Sequence, residues 1–351
     1  MFIDSAHSIA LKGVIQDQEL VSNSSSHAVI KSIIQDQFRY SVGQLNGYEG
    51  VADLNRIEIE ILEVRAQSGG KFLARYSAKL IIAWPKDASQ PASIDLILPS
   101  GIDYRSLLEF FYTYNKPECR ALESHDVVFG NFWYYYRPNN SDCSLDTDPN
   151  PEYANRVPMT LSLSDENTTG KFPEYEKVWE DKRLIATAIF GKFDAKNSTN
   201  SDAGVRAYRF MYQSLLNFFG NPVSNSVGPD DIVGVDTPEI SLEFNSELGI
   251  VEVHLLLVAQ ISSPSAEFVT TYNRLTRKSD FIAYSGHSGL GGNIRALARM
   301  GQFEPNQYQI FLINGCDTFA YVDHSLRDAH AAANPQFGPY KCFAATHLRH
   351  Q

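Results

Sequence analysis

Between residues 184 and 346 the sequence alternates short apolar runs with amphipathic segments, and this alternation restricts the fold more than any other feature. Short apolar runs are typical of buried strands, whereas apolar residues three and four positions apart are typical of helices. The predicted strands are 184–190, 240–244, 250–261, 281–284, 308–313 and 341–346, and the predicted helices are 205–219, 265–277 and 294–300. Because parallel strands need crossover connections, the alternation predicts an α/β fold with a parallel sheet and helices on both faces.

The first half of the sequence has a different texture, in which strand patterns dominate. Residues 57–64 (IEIEILEV) alternate apolar and polar side chains with a period of two, as in a strand that is buried on one face. Further strands are predicted at 71–84, 93–98 and 127–136, and one helix at 104–114. These elements predict an N-terminal α+β or β-rich domain.

Composition divides the chain into four segments. The Ser-rich residues 1–30 are expected to be loose, and residues 31–145 to form the β-rich accessory domain. Residues 146–180 contain many Pro, Asn, Asp and Ser residues, which favour turns, so they are predicted to be a linker. The second domain then covers residues 181–351.

Charge and hydropathy restrict the partners and the location. The net charge of −11 argues against nucleic acid, because phosphate binding needs clustered Lys and Arg. No apolar run reaches the roughly 18 residues that a transmembrane helix needs. The N-terminal residues lack a basic segment followed by an apolar stretch, so no signal peptide is indicated. A periplasmic or cell-envelope location stays open if the sequence given lacks its true start.

The sequence has four cysteines, at positions 119, 143, 316 and 342. None belongs to a C-x-x-C pair, so the cysteines do not signal a structural zinc site. Cys119 and Cys143 flank a predicted strand. They are interpreted either as one disulfide formed in an oxidising compartment or as two unpaired thiols.

Two similar segments carry the candidate chemistry, SDFIAYSGHSGLGG at 279–292 and YQIFLINGCDTFAY at 308–321. In each, an apolar strand runs into a turn of small residues that presents one reactive side chain, His287 in the first and Cys316 in the second. Ligand sites of open α/β sheets lie beyond the carboxyl ends of the strands. We therefore expect the two strands to be parallel neighbours and the two side chains to lie at the same edge.

A histidine beside a cysteine is the pair that thiol chemistry requires. The thiolate is the nucleophile, and an imidazole can take the thiol proton and later protonate a leaving amine. Backbone N–H groups of Ser288, Gly289 and Cys316 are the candidate donors to the oxyanion of a tetrahedral intermediate.

The two segments resemble the catalytic core of the caspase-like (clan CD) cysteine peptidases, a family that includes caspases, metacaspases, legumains, gingipains and separases. In that family one strand ends in His-Gly and the next ends in a small residue followed by the catalytic Cys. FIAYSGHSG and FLINGCDT are the matching motifs. The residue after the histidine is Ser288 instead of the usual Gly, and the two residues lie closer together than the roughly 50 positions usual in caspases.

The resemblance implies a caspase-like parallel-sheet sandwich in residues 181–351, in a sequence that ends before the last strand and helix of that fold. It implies a cysteine endopeptidase that acts on peptides or proteins, with Cys316 as nucleophile, His287 as general acid and base, and no organic cofactor. Asp317 is a candidate specificity residue that would favour a basic substrate side chain. The alternative is an inactive caspase-like binding or scaffold protein, associated in one interpretation with the bacterial cell envelope.

Other polar residues are interpreted as structural. One alternative interpretation is a metal site whose ligands are Cys316, Asp317, Asp323 and His324. Because exposed loop carboxylates are common, no metal site is predicted. The glycine-rich SGLGG at 288–292 lacks the G-K-[ST] ending of a phosphate-binding loop. His125 and His254 are isolated histidines.

Overall fold

The computed structural model describes residues 8–122, 124, 127–147, 149–165, 175–316, 318–321, 323, 325–335 and 343–348. The protein is mixed α/β and contains two sheets. It divides into two units, residues 1–171 and 172–351, and each unit has its own sheet. No helix in the described ranges is long and apolar enough to cross a membrane.

The first unit is built on an antiparallel sheet. Its strands are β1 (Ser8–Ser22), β2 (Val51–Ala52), β3 (Glu58–Ala66), β4 (Phe72–Pro85), β5 (Ser93–Pro99) and β6 (Ala154–Leu163). Its helices are α1 (His27–Asn46), α2 (Tyr104–Tyr114), α3 (Phe132–Tyr135) and α4 (Ser144–Thr147). The strand order is β2-β4-β1-β6-β5, and β3 pairs with β4.

The prediction that residues 1–30 are loose is wrong where the structure describes them. Residues Ser8–Ser22 form β1, which lies in the sheet between β4 and β6. Its Ala10, Ile15 and Leu20 are buried, so apolar contacts hold the strand in the core. The pairing register of β1 shifts between Ile15 and Gln18, at a β-bulge, and the polar run QDQE lies at this shift. The alternation of apolar and polar residues along the strand is interrupted there, so the sequence did not reveal the strand.

Helix α1 begins where strand patterns were expected to dominate. Its buried face contains glutamines as well as apolar residues, which obscures the helical period. The Nε2 atom of Gln37 donates to the carbonyl oxygen of Pro99 at 2.7 Å. The Oε1 atom of Gln44 accepts a hydrogen bond from the N–H of Ile97 at 2.8 Å. These glutamines satisfy backbone groups of β5, which is an edge strand of the sheet.

Two further predictions in the first unit are wrong. The predicted linker 146–180 contains β6, which pairs with both β1 and β5. Val157 and Met159 of β6 are buried, and the neighbouring turn formers mask this alternation. The predicted strand 127–136 contains the short helix α3 instead. Phe132 of that helix packs edge-on against the ring of Tyr40 in α1, so the aromatic run serves helix packing.

Cys119 and Cys143 form a disulfide, one of the two arrangements that the sequence left open. Both residues are buried, with 2% and 1% of their surface exposed. The bond closes a loop over a sequence separation of 24 and joins the segment after α2 to the segment before α4.

The second unit is built on a mainly parallel sheet. Its strands are β7 (Arg183–Gly191), β8 (Ser224–Asn225), β9 (Glu239–Ser246), β10 (Gly249–Val258), β11 (Phe281–Ser285), β12 (Gln309–Asn314) and β13 (Phe343–Leu348). Its helices are α5 (Ala203–Phe219), α6 (Ala266–Thr276), α7 (Gly292–Met300), α8 (Thr318–Tyr321) and α9 (Ser325–Ala333). The strand order is β13-β12-β11-β7-β10-β9-β8. The predicted strands and helices of this half are confirmed, whereas α8, α9 and β8 were not predicted.

The pairing directions of the strands show which connecting segments emerge at the same edge of this sheet. Strands β10, β7, β11, β12 and β13 are parallel, and β9 runs antiparallel to β10. In β7, β10, β11 and β12 most of the apolar residues are buried or half-buried, as is usual for a parallel sheet covered on both faces. One core cluster joins β7, β9 and β10 to α5 through Phe190, Phe244, Leu255 and Tyr208. The segments that follow β7, β10, β11 and β12 therefore emerge at the same edge of the sheet.

Candidate active site

The candidate residues His287 and Cys316 follow two neighbouring strands at equivalent positions. Strands β11 and β12 pair in parallel, and their last paired residues are Ser285 and Asn314. His287 and Cys316 each lie two positions beyond this pair, and each follows a glycine. The expectation that the two strands are parallel neighbours is confirmed, and it brings the two turns together at the carboxyl edge of the sheet.

The two turns contact each other through their backbones. The N–H of Gly286 donates a hydrogen bond to the carbonyl oxygen of Asn314 at 3.1 Å. A Cβ atom on Gly315 would lie 2.7 Å from the carbonyl oxygen of Gly286 and 3.2 Å from the nitrogen of Ser288. Only glycine therefore fits before the cysteine without displacing the turn that carries the histidine.

Two buried side chains hold the backbone of His287. Its carbonyl oxygen accepts hydrogen bonds from the hydroxyl of Tyr284 at 2.7 Å and from Nδ2 of Asn293 at 2.6 Å. The same Nδ2 atom donates to the Tyr284 hydroxyl at 3.2 Å. Tyr284 belongs to β11 and Asn293 to the first turn of α7. The turn is thus fixed from the strand before it and from the helix after it.

The imidazole of His287 is exposed but oriented by the segment after β7. Its Nε2 atom lies 2.9 Å from the carbonyl oxygen of Phe193, and the two rings pack with centroids 4.8 Å apart. Because a carbonyl oxygen can only accept, the proton of this hydrogen bond belongs to Nε2. In the neutral imidazole Nδ1 then carries the lone pair and is the basic atom.

Cys316 presents an exposed thiol that is not part of a disulfide. Burial raises the pKa of the Tyr284 hydroxyl to about 12, and the charge of Cys316 adds to this rise.

Two of the three candidate oxyanion donors, Ser288 and Gly289, lie in the turn after His287. Gly289 has a φ of +58°, in the left-handed region that favours glycine, and it begins a short 3-10 turn. Within the described part of the chain, no residue accepts a hydrogen bond from the N–H of Ser288 or Gly289. Both N–H groups are thus free of described protein acceptors, as donors to a substrate oxygen need to be.

A cleft of about 290 Å³ opens beside His287. The residues that line it follow three strands, β7, β10 and β11. They include Lys192 and Phe193 after β7, Gln260 and Ile261 after β10, and His287 and Asn293. The cleft therefore lies where ligand sites of parallel sheets are expected.

Several residues named from the sequence, Asp317, His324, Cys342 and His125, lie outside the described residues. Asp323 forms an ion pair with Arg295 at 3.7 Å. Among the side chains that the structure describes, no group of three potential ligands is arranged around a metal position.

His254, interpreted as structural, lies in β10 away from the two turns, and 5% of it is exposed. Its Nε2 atom lies 2.7 Å from Oε1 of Glu252. Burial lowers the pKa of His254 although the carboxylate opposes this effect.

Sequence reasoning missed the supporting residues. Phe193 contributes a carbonyl oxygen, which every residue has, so no sequence signal could identify it. Asn293 follows the glycine-rich run after His287 and lies at the start of α7, so its closeness in sequence to the candidate histidine was a weak signal. Comparison with known proteins adds no family here, since no protein-family model matches this chain and no curated protein matches it.

Proposed function

We propose that the second unit adopts a caspase-like fold and that the protein is a cysteine endopeptidase with a His287–Cys316 dyad. One observation carries the proposal. The two residues occupy equivalent positions beyond the paired ends of parallel neighbouring strands, as in the clan CD peptidases that the two motifs resemble. The tautomer of His287 supports it, because Nδ1 is the nitrogen left to act as a base.

The proposed reaction proceeds through an acyl-enzyme. Nδ1 of His287 takes the proton of the Cys316 thiol, and the thiolate attacks the carbonyl carbon of the scissile peptide bond. The N–H groups of Ser288, Gly289 and Cys316 stabilise the negative oxygen of the tetrahedral intermediate. The imidazolium then protonates the leaving amine, and the C–N bond breaks. A water molecule, deprotonated by the same imidazole, hydrolyses the thioester and restores the thiol.

Peptide hydrolysis by the full chain tests this function. A fluorogenic peptide library that varies the residue before the cleaved bond is offered to the wild type and to Cys316→Ala and His287→Ala. Both variants are expected to lose roughly 1000-fold or more in kcat/KM, since each removes a group that takes part in bond breaking. His27→Ala is the matched control, because His27 is an exposed histidine at the start of α1 in the other unit.

Two outcomes contradict the proposal. Hydrolysis that survives Cys316→Ala at the wild-type rate would assign the activity to another group. A wild type that cleaves no member of the library would favour the alternative, an inactive caspase-like binding or scaffold protein.

A further inference from the structure

Asp202 accepts an unusual number of backbone hydrogen bonds at the start of α5. Its Oδ1 atom accepts from the N–H groups of Gly204 at 2.8 Å, Val205 at 3.2 Å and Phe193 at 3.0 Å. Its Oδ2 atom accepts from the N–H of Asp194 at 2.9 Å. Asp202 is buried, with 4% of its surface exposed. Burial alone raises the pKa of this carboxyl, but the four donors outweigh burial and hold the pKa below its usual range.

Capping of helix α5 accounts for only two of these four hydrogen bonds. An N-cap side chain normally accepts from the second and third residues of its own helix, as Asp202 does from Gly204 and Val205. The other two donors belong to the segment that leaves β7, eight and nine positions earlier in the chain. One carboxylate thus joins the beginning of α5 to the end of β7.

The segment that Asp202 holds is the one that orients His287. The N–H of Phe193 donates to Asp202, and the carbonyl oxygen of Phe193 accepts from Nε2 of His287. We propose that Asp202 is a positioning residue for the histidine: it fixes the Phe193 backbone so that its carbonyl oxygen selects the Nε2–H tautomer. The effect on catalysis rests on the proposed function, whereas the effect on the tautomer does not.

The physical consequence concerns which nitrogen is basic. Without the Phe193 carbonyl oxygen at 2.9 Å, the Nε2–H tautomer of His287 loses its hydrogen-bond acceptor. The Nδ1–H tautomer then gains population, and in that form Nδ1 cannot take a proton from a thiol. The loss appears in kcat, because a molecule with the Nδ1–H tautomer is not productive, and KM can change as well, since Phe193 also lines the cleft.

Asp202→Ser separates this role from helix capping. Serine is a good N-cap and can accept from the first turn of α5, but its single short hydroxyl cannot also hold the segment after β7. Asp202→Asn is the second variant. It keeps one oxygen and replaces the other with an N–H donor, so it loses the acceptor for Asp194. Asp103→Ser is the matched control, since Asp103 caps α2 in the other unit and accepts from Arg105 and Ser106.

The test measures the tautomer of His287 directly in the full chain. Histidine labelled with 15N gives ring-nitrogen signals that distinguish Nε2–H from Nδ1–H, and the His287 signals are assigned by their absence from His287→Gln. We expect mainly Nε2–H in the wild type and in Asp103→Ser, a clear shift toward Nδ1–H in Asp202→Ser, and a smaller shift in Asp202→Asn. With a cleaved peptide, kcat of Asp202→Ser should fall roughly 10- to 100-fold.

The two proposals fail separately in this design. A wild type that cleaves no peptide contradicts the proposed function, while the ring-nitrogen signals still decide the role of Asp202. Wild-type tautomer populations in both Asp202 variants would overturn the positioning role. A loss of thermal stability in Asp202→Ser with the tautomer unchanged would likewise reduce Asp202 to a helix cap and overturn it.

Discussion

The carbonyl oxygen of Phe193 accepts a hydrogen bond from Nε2 of His287 at 2.9 Å, and this contact joins the ends of two adjacent strands. Strand β11, which precedes His287, lies between β7 and β12 in the sheet. Nε2 of His287 is thus hydrogen-bonded to the segment after β7. Cys316 follows β12, which lies on the other side of β11. In the proposed dyad, Nδ1 is therefore the ring nitrogen left for the Cys316 thiol.

Cys316 should be the most reactive thiol of the chain. It is exposed, follows a glycine at a strand end, and lies in the turn that contacts the turn of His287. Competitive labelling with limiting iodoacetamide, read by mass spectrometry, should modify Cys316 before Cys342. The rate should fall in His287→Gln and stay unchanged in the control His27→Gln. Equal labelling of Cys316 and Cys342 in the wild type would contradict the assignment of the nucleophile.

Asn293 should be required for the conformation of the histidine turn. Its Nδ2 atom donates to the carbonyl oxygen of His287 and to the Tyr284 hydroxyl, and 8% of the residue is exposed. Asn293→Ala leaves buried acceptors with fewer donors, and we expect a loss of roughly 1–3 kcal/mol in the free energy of unfolding. Urea unfolding measures this loss, and the exposed Asn217→Ala on α5 is the control.

Asn293→Asp is a second variant that tests the same hydrogen bond with a side chain of nearly the same shape. The carboxylate has nearly the shape of the amide, but it places an oxygen where the amide donates to the His287 carbonyl oxygen. Two acceptors then face each other, so Asp should slow iodoacetamide labelling of Cys316 at least as much as Ala does. Wild-type stability and labelling in both variants would show that Asn293 does not support the turn.

The sequence sufficed to predict the strands of the second unit because of how they are buried. A strand such as β10, covered on both faces, must be apolar nearly throughout, and such a run can be recognised without knowing its neighbours. The pairing of β11 with β12 followed from the same reasoning. The contact between His287 and Phe193 could not be predicted from the sequence, because it uses a backbone oxygen whose position depends on the whole segment after β7.

The first unit was harder to predict because polar residues lie inside its core. Gln37 and Gln44 are buried in α1, where a helical apolar pattern would place hydrophobic side chains. They are stable there because they bond to the backbone of β5, which a sequence pattern cannot reveal. The bulge in β1 broke the alternation of that strand in the same way, since it shifts side chains from one face to the other.

The disulfide between Cys119 and Cys143 should stabilise the first unit. A bond that closes a loop of this length, over a sequence separation of 24, is expected to contribute about 3 kcal/mol by restricting the unfolded chain. Reduction of the wild type should lower the Tm of this unit. Cys119→Ala/Cys143→Ala should show the lower Tm with and without reductant. A wild-type Tm that ignores the reductant, with both thiols shown by labelling to be reduced, would contradict the stabilising role.

Asp280 connects three strands at the edge of the sheet opposite His287. Its N–H donates to the carbonyl oxygen of Ile185, and its carbonyl oxygen accepts from the N–H of Ile310, both at 2.8 Å. Its Oδ2 atom accepts from the N–H of Ile185 at 2.8 Å. Burial raises the pKa of the Asp280 carboxyl to about 7, the Ile185 donor opposes that rise, and the negative charge of Asp181 adds to it.

This raised pKa gives the stability a defined pH dependence. Since the usual pKa of an unfolded Asp is roughly 4, the folded state binds more protons from about pH 4 to 7, and stability falls as pH rises through this window. Asp280→Asn keeps an acceptor for Ile185 and removes the charge. Between pH 5 and 8 the wild type should lose on the order of 2 kcal/mol relative to Asp280→Asn, allowing for solvent screening. Urea unfolding at several pH values measures this difference, with the exposed Asp230→Asn as control. Parallel pH profiles for wild type and Asp280→Asn would show that Asp280 is already ionised in the folded protein at pH 5.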